Sequence, residues 1–185
     1  MVKYTKATSK GFTLVEIVIV IMTLAVFGTI TTTMLANASK VYSSSIKKQN
    51  LFNQARSTFF KIIREASWQK SFSGFAGSNN KKLVIRPADG NSISYEIRQT
   101  NDIIQNNEQI SGANDKIITN KVEYSNSSIV YKNSSGNTID IENEIGQIKS
   151  VELTLTFNQE SQNLLFRGEI TPYNLRIGRA MSYHD

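Results

Sequence analysis

The sequence predicts an α+β protein: a long N-terminal helix with a membrane-spanning first half, packed through its second half on an antiparallel β-sheet head. Three observations carry this. Residues 12–30 are almost continuously apolar, apolar residues then recur at helical spacing to about Ser71, and beyond Leu83 the period changes to two. At 185 residues the chain has room for one globular domain beside such a helix.

The first element reads FTLVEIVIVIMTLAVFGTI from Phe12 to Ile30, broken only by Glu16 among the charged residue types. As a helix it is about 28 Å long, close to the ~30 Å hydrocarbon thickness of a bilayer. Lys3, Lys6 and Lys10 precede it with no acidic residue among them, so the positive-inside rule keeps the N-terminus in the cytoplasm and sends the rest outside. Those lysines also colour the charge balance. The chain has 21 basic and 15 acidic residues, a formal +6; subtracting these three lysines leaves 18 to 15, which weakens any inference from basicity to a nucleic-acid partner.

Three readings fit this segment. A secretory signal peptide finds its small-residue site at Ala36-Asn37-Ala38, but the apolar run exceeds the usual ~7–15 residue core. An uncleaved single-pass anchor explains length and orientation and leaves Glu16 without a purpose. The third gives it one. A carboxylate in a membrane helix costs roughly 3 kcal/mol at the centre, so it is retained mostly for function, although near a helix start the interface and the helix field also favour it. Cleavage before Phe12 would place a cationic amine one turn from Glu16. In a bundle of such helices that carboxylate could pair with a neighbour's amine and fix axial register.

Lys10-Gly11-Phe12-Thr13-Leu14-Val15-Glu16, followed by Ile17 to Ile21, resembles the class III signal of type IV pilins and pseudopilins. The resemblance implies a pilin-like lollipop: a leader over 1–11, a transmembrane or filament-core helix over 12–30, its continuation over 31–71, and a β-rich head over 72–185. It implies a membrane-embedded prepilin peptidase that cuts between Gly11 and Phe12 and methylates Phe12, with Glu16 used in subunit assembly. The implied partners are other pilin or pseudopilin subunits, the prepilin peptidase and, before assembly, the cytoplasmic membrane; the implied destination is an extracellular filament. The chain departs from many major pilins in lacking a helix proline, the first being Pro87.

The helical periodicity continues through Leu35, Ala38, Val41 and Tyr42, then Phe52, Ala55, Phe59, Ile62, Ile63 and Ala66, with Lys47, Lys48, Gln54, Lys61 and Glu65 on the polar side. The glycine and asparagine cluster from Ser73 to Asn80 ends it. In the head, Leu83–Arg86 and Ile93–Arg98 flank the hairpin signal Asp89-Gly90, and Ser128–Lys132 and Thr138–Ile141 flank Ser135-Gly136-Asn137. Val151 to Phe157 alternates strictly, and Leu164–Ile170 follows a polar turn. Phe75–Gly77 and Asn101–Asp115 read as loops, with Ile103, Ile104 and Ile110 pinning the second to the core. A long helix, several hairpins and a late alternating strand ending near Arg176 are similar to the J-type (PilW-like) minor pilins, which initiate and cap filaments.

No enzymatic activity, cofactor or metal is expected. Cysteine is absent, which excludes disulfides, thiolate sites and a cysteine nucleophile, and the one histidine, His184, sits beside the C-terminus. Asp89, Asp102, Asp115 and Asp140 form no distinctive pattern, and a hairpin turn suffices to explain Asp89-Gly90-Asn91 without calcium. For DNA or a surface ligand, Lys47-Lys48, Lys81-Lys82-Arg86 and Arg176-Arg179 offer basic groups but no interleaved aromatic pattern.

Overall fold

The structure, a computed structural model, describes residues 11–87, 90–107, 115–159 and 162–176. Ile110, Asp89, Arg179, His184 and the leader lysines lie outside the described residues. The order is α1 (Leu14–Ser67), a 3-10 turn (Phe72–Phe75), β1 (Lys82–Ile85), β2 (Ile93–Ile97), β3 (Ile103–Asn107), β4 (Lys116–Thr119) and β5 (Ser128–Lys132). There follow α2 (Ile141–Glu144), a second 3-10 turn (Ile145–Gln147), β6 (Ser150–Gln159), β7 (Gln162–Ile170) and α3 (Tyr173–Arg176). Two compact units divide the chain, Met1–Lys47 and Lys48–Asp185.

In the first unit every described residue is exposed. Its β-branched threonines remain compatible with a helix because their hydroxyls are satisfied locally: Thr29, Thr31, Thr32 and Thr33 each donate to a carbonyl three or four residues back at 2.8 Å. No hydroxyl in this run then needs water, which suits an apolar medium.

The second unit is the head. Strands β1-β2-β3-β4 form one antiparallel sheet and β5-β6-β7 another. The sheets are stitched where Val122 bridges Phe157 and the Asn101 carbonyl accepts the Val122 N–H at 3.2 Å. Helix α1 buries Leu51, Ala55, Thr58, Phe59, Ile62 and Ala66, a stripe at helical spacing, and reaches both sheets. Phe59 meets Phe166 of β7 at 5.4 Å between ring centres, Lys61 donates to Gln105 of β3 at 2.7 Å, and the Tyr95 hydroxyl of β2 donates to Glu65. Gly168 permits the close approach: a Cβ there would lie 3.0 Å from Phe59 Cζ and 3.2 Å from Ile63 Cδ1.

Several sequence expectations are corrected. The helix ends at Ser67 rather than near Ser71 because Gln69 turns into the core. Fully buried, its amide accepts the Arg86 N–H at 2.6 Å and donates to the Ser71 carbonyl at 3.0 Å, while the last helical carbonyls of Glu65 and Ala66 accept the N–H groups of Trp68 at 3.1 Å and Gln69 at 3.2 Å. Gly74 leaves room for that amide; a Cβ at 74 would fall on the Gln69 nitrogen and 3.1 Å from its Cδ. We therefore expect Gly74→Ala to lower head stability by about 1–3 kcal/mol through the unpaired Arg86 N–H, read by urea unfolding.

The stretch read as a loop from Asn101 contains β3, paired on both sides. Polar Gln105, Asn106 and Asn107 hide it, and neighbouring Ile103 and Ile104 break alternation, yet both isoleucines are buried as expected. A register shift against β4, where Ile103 faces Thr119 and Ile104 faces Ile117, leaves Ile118 as the extra residue. Thr138–Ile141 is not a strand: only Thr138 bridges Lys132, and Asp140 then caps α2 by accepting the Glu142 N–H at 3.2 Å. The turn itself stands, with Gly136 at φ +80°. Strands β1 and β2 pair as expected, but from Ile85 opposite Ile93, so the connection is longer than two residues. Phe75 belongs to a 3-10 turn and is buried.

Strand β6 is central and nearly all buried, although its alternation suggests one wet face. Its outer face is covered by charge pairing: Glu152 accepts from Lys132 and from the Arg167 guanidinium, both at 2.6 Å, with Glu169 3.6 Å from Lys132. The Lys132 ammonium, and after it Arg167, hold the Glu152 carboxyl below its ordinary range while desolvation opposes them. Because the folded pKa is depressed, the unfolded chain takes the proton more readily. This contribution is full above the unfolded value of about 4.3 and is lost as pH falls through the folded value. Between pH 5 and 3 the melting temperature of the parent should drop more steeply than that of Glu152→Gln; parallel curves would contradict the pairing.

Candidate assembly site at the start of the long helix

Gly11, Phe12 and Thr13 precede the helix, and α1 starts at Leu14. Phe12 is 81 % exposed, and among the described residues nothing lies within 4 Å of a Cβ placed on Gly11. The bond between them lies outside the helix.

Thr13 and Glu16 close the first turn on each other. The Thr13 N–H donates to Glu16 Oε2 at 2.8 Å, the Thr13 hydroxyl donates to the same oxygen at 2.9 Å, and the Glu16 N–H donates to Thr13 Oγ1 at 3.3 Å. This is a capping box, in which a threonine and a glutamate three residues on satisfy each other's backbone donors. The sequence reading singled out Glu16 and passed over Thr13, although the T-x-x-E spacing was there to be read. Chemically the site is an exposed carboxylate at the positive end of a helix dipole. Its Oε2 is engaged within the chain; among the described residues Oε1 has no partner, leaving it able to accept from a cation.

Elsewhere the expected functional groups are used within the fold. Asp115 pairs with Arg98, Asp140 caps α2, and Asp102 accepts the Thr100 hydroxyl at 2.6 Å. The Lys81 ammonium donates to the Tyr124 carbonyl at 2.6 Å and to that of Ser127 and sits 4.2 Å from the Tyr124 ring centre, with burial pushing its pKa down. That lysine ties the β4–β5 connection to the sheet rather than projecting a charge. Arg176 lies over the Tyr173 ring at 5.3 Å. Among the described residues no group of three or more His, Cys, Asp or Glu is placed to hold a metal.

These features define an α+β protein with one helix near the N-terminus long and apolar enough to cross a membrane, an architecture compatible with a pilin-like fold. No family model, curated protein or solved structure matches the chain.

Proposed function

We propose that the chain is a non-enzymatic structural subunit of a type IV pilus-like filament, a minor pilin that helps initiate assembly or cap the tip. The prepilin peptidase cuts between Gly11 and Phe12 and methylates Phe12. The subunit waits in the cytoplasmic membrane with its head outside and then joins other pilin or pseudopilin subunits in an extracellular filament. The observation that carries this reading is the spacing of Gly11, Phe12 and Glu16 at the start of a helix whose described residues are all exposed through Asn50. An isolated soluble chain has no use for so much uncovered apolar surface, whereas a membrane and then a bundle of like helices cover it.

In the bundle, Glu16 pairs with the Phe12 amine of a neighbour, each charge neutralising the other where water is scarce. Mass spectrometry of the mature protein from its native membrane or filaments is expected to find a chain beginning at N-methylated Phe12. A chain beginning at Ser39, or at Met1, overturns the reading.

A further inference from the structure

Beyond the long helix, the corner of the head where α1 ends exposes three aromatic rings: Trp68 at 63 %, Tyr173 at 53 % and Phe72 at 44 %. Trp68 and Tyr173 pack edge to face, their centres 6.3 Å apart. Phe72 lines a cleft of about 710 Å³ together with Ser134, Ser135, Gln147, Lys149 and Asn174, among other residues. That volume is in the range of small-ligand sites.

The lining decides what kind of ligand suits it. Serine hydroxyls and amide groups each donate and accept, as the hydroxyls of a sugar do. The Ser134 and Ser135 hydroxyls have no partner among the described residues, whereas Asn133 Oδ1 holds their turn by accepting from the Ser135 and Asn137 N–H groups, both at 3.0 Å. Lys149 is the one charged side chain in the lining, and its ammonium is occupied by the carbonyls of Leu175 and, at 3.4 Å, Arg176. Its charge remains, but with two of its three donors committed to those carbonyls a single anchored ammonium is a poor cradle for a phosphate or a carboxylate, and hydroxyl and amide groups dominate the lining. Asn174 Nδ2 donates to the Gln69 carbonyl at 3.4 Å, which leaves its Oδ1 to accept; an exposed ring beside that oxygen and the Ser134 and Ser135 hydroxyls matches the two faces of a pyranose, apolar C–H groups on one side and hydroxyls around the rim.

From this geometry we infer that the cleft between the two 3-10 turns, the turn after β5 and α3 binds a neutral oligosaccharide, with Phe72 stacking on a sugar ring and Ser134, Ser135 and Asn174 hydrogen-bonding its hydroxyls. The inference concerns the head alone and stands or falls independently of N-terminal processing.

The test is titration of the full chain in detergent micelles with chitotetraose and with maltotetraose, followed by calorimetry and by saturation-transfer NMR. Saturable binding of at least one sugar is expected. Phe72→Ala should weaken it about tenfold, the scale of one lost aromatic stack. Because Phe72→Ala removes a half-exposed ring, circular dichroism checks its fold, and the paired Ser134→Ala and Ser135→Ala change, on an exposed turn, gives a second route to lost affinity. Absence of saturation by both sugars overturns the inference, as does binding that both sets of changes leave intact. Inorganic phosphate that binds and displaces the sugar overturns the assignment of a neutral ligand.

Discussion

A chain carrying Glu16→Ala is expected to insert in the membrane and to be missing from filaments, a loss of at least about tenfold in the subunit recovered from sheared fibres. Insertion should not suffer, since removing a carboxylate from an apolar helix relieves a desolvation penalty. Two roles of Glu16 are separable. Its capping bonds to Thr13 are made equally by glutamine. Its charge is what the proposed pairing with a neighbour's amine requires, and glutamine has none. Glu16→Gln should therefore fail like Glu16→Ala if ion pairing governs assembly, and should assemble normally if the cap is what matters. Thr13→Val, which removes the hydroxyl but keeps the shape and the charge of Glu16, is expected to assemble better than either. Wild-type recovery of Glu16→Gln would refute the pairing while leaving cleavage at Gly11–Phe12 untouched.

Phe59→Ala is expected to be the most damaging single truncation in the head. The ring is 5 % exposed and lies against Phe166 and against Gly168, which has no side chain of its own to fill the space. Deleting a buried phenylalanine costs about 3–5 kcal/mol, a large share of the roughly 5–15 kcal/mol that holds a domain together. The melting temperature should fall by about 10 °C or more. Phe60 is the control within the same turn: 53 % exposed, it leans on Phe59 and Arg56, and Phe60→Ala should cost less than about 1 kcal/mol. Equal effects at the two positions would mean that α1 does not present the Leu51–Ala66 stripe to the sheets.

The elements legible from sequence were those whose signal is local. Helix α1 announces itself by unbroken apolarity and then by periodicity, and β5, β6 and β7 by β-branched or aromatic residues between turns, because one strand face or one helix stripe must be apolar to be buried. The candidate site was legible for the same reason: Gly11, Phe12 and Glu16 lie within six residues, and the T-x-x-E cap that Thr13 adds is also local.

What the sequence left undetermined depended on partners far away along the chain. Strand β3 has too polar a sequence to declare itself and exists because β2 and β4 supply hydrogen bonds on both edges. Gln69 looks like one more helix residue, and only the Arg86 N–H, 17 positions on, draws it inward and stops the helix at Ser67. Glu152 reads as a solvated strand residue until Lys132 and Arg167 converge on it from the strands either side. By itself the sequence determined the long helix, its apolar first half, the cleavage-like motif and the β character of the head, since each follows from the order of neighbouring residues. Tertiary structure alone decided where the helix ends, which polar groups are buried and which rings stay exposed at its end. Burial and hydrogen-bond satisfaction are settled between residues distant in sequence, and no local pattern encodes them.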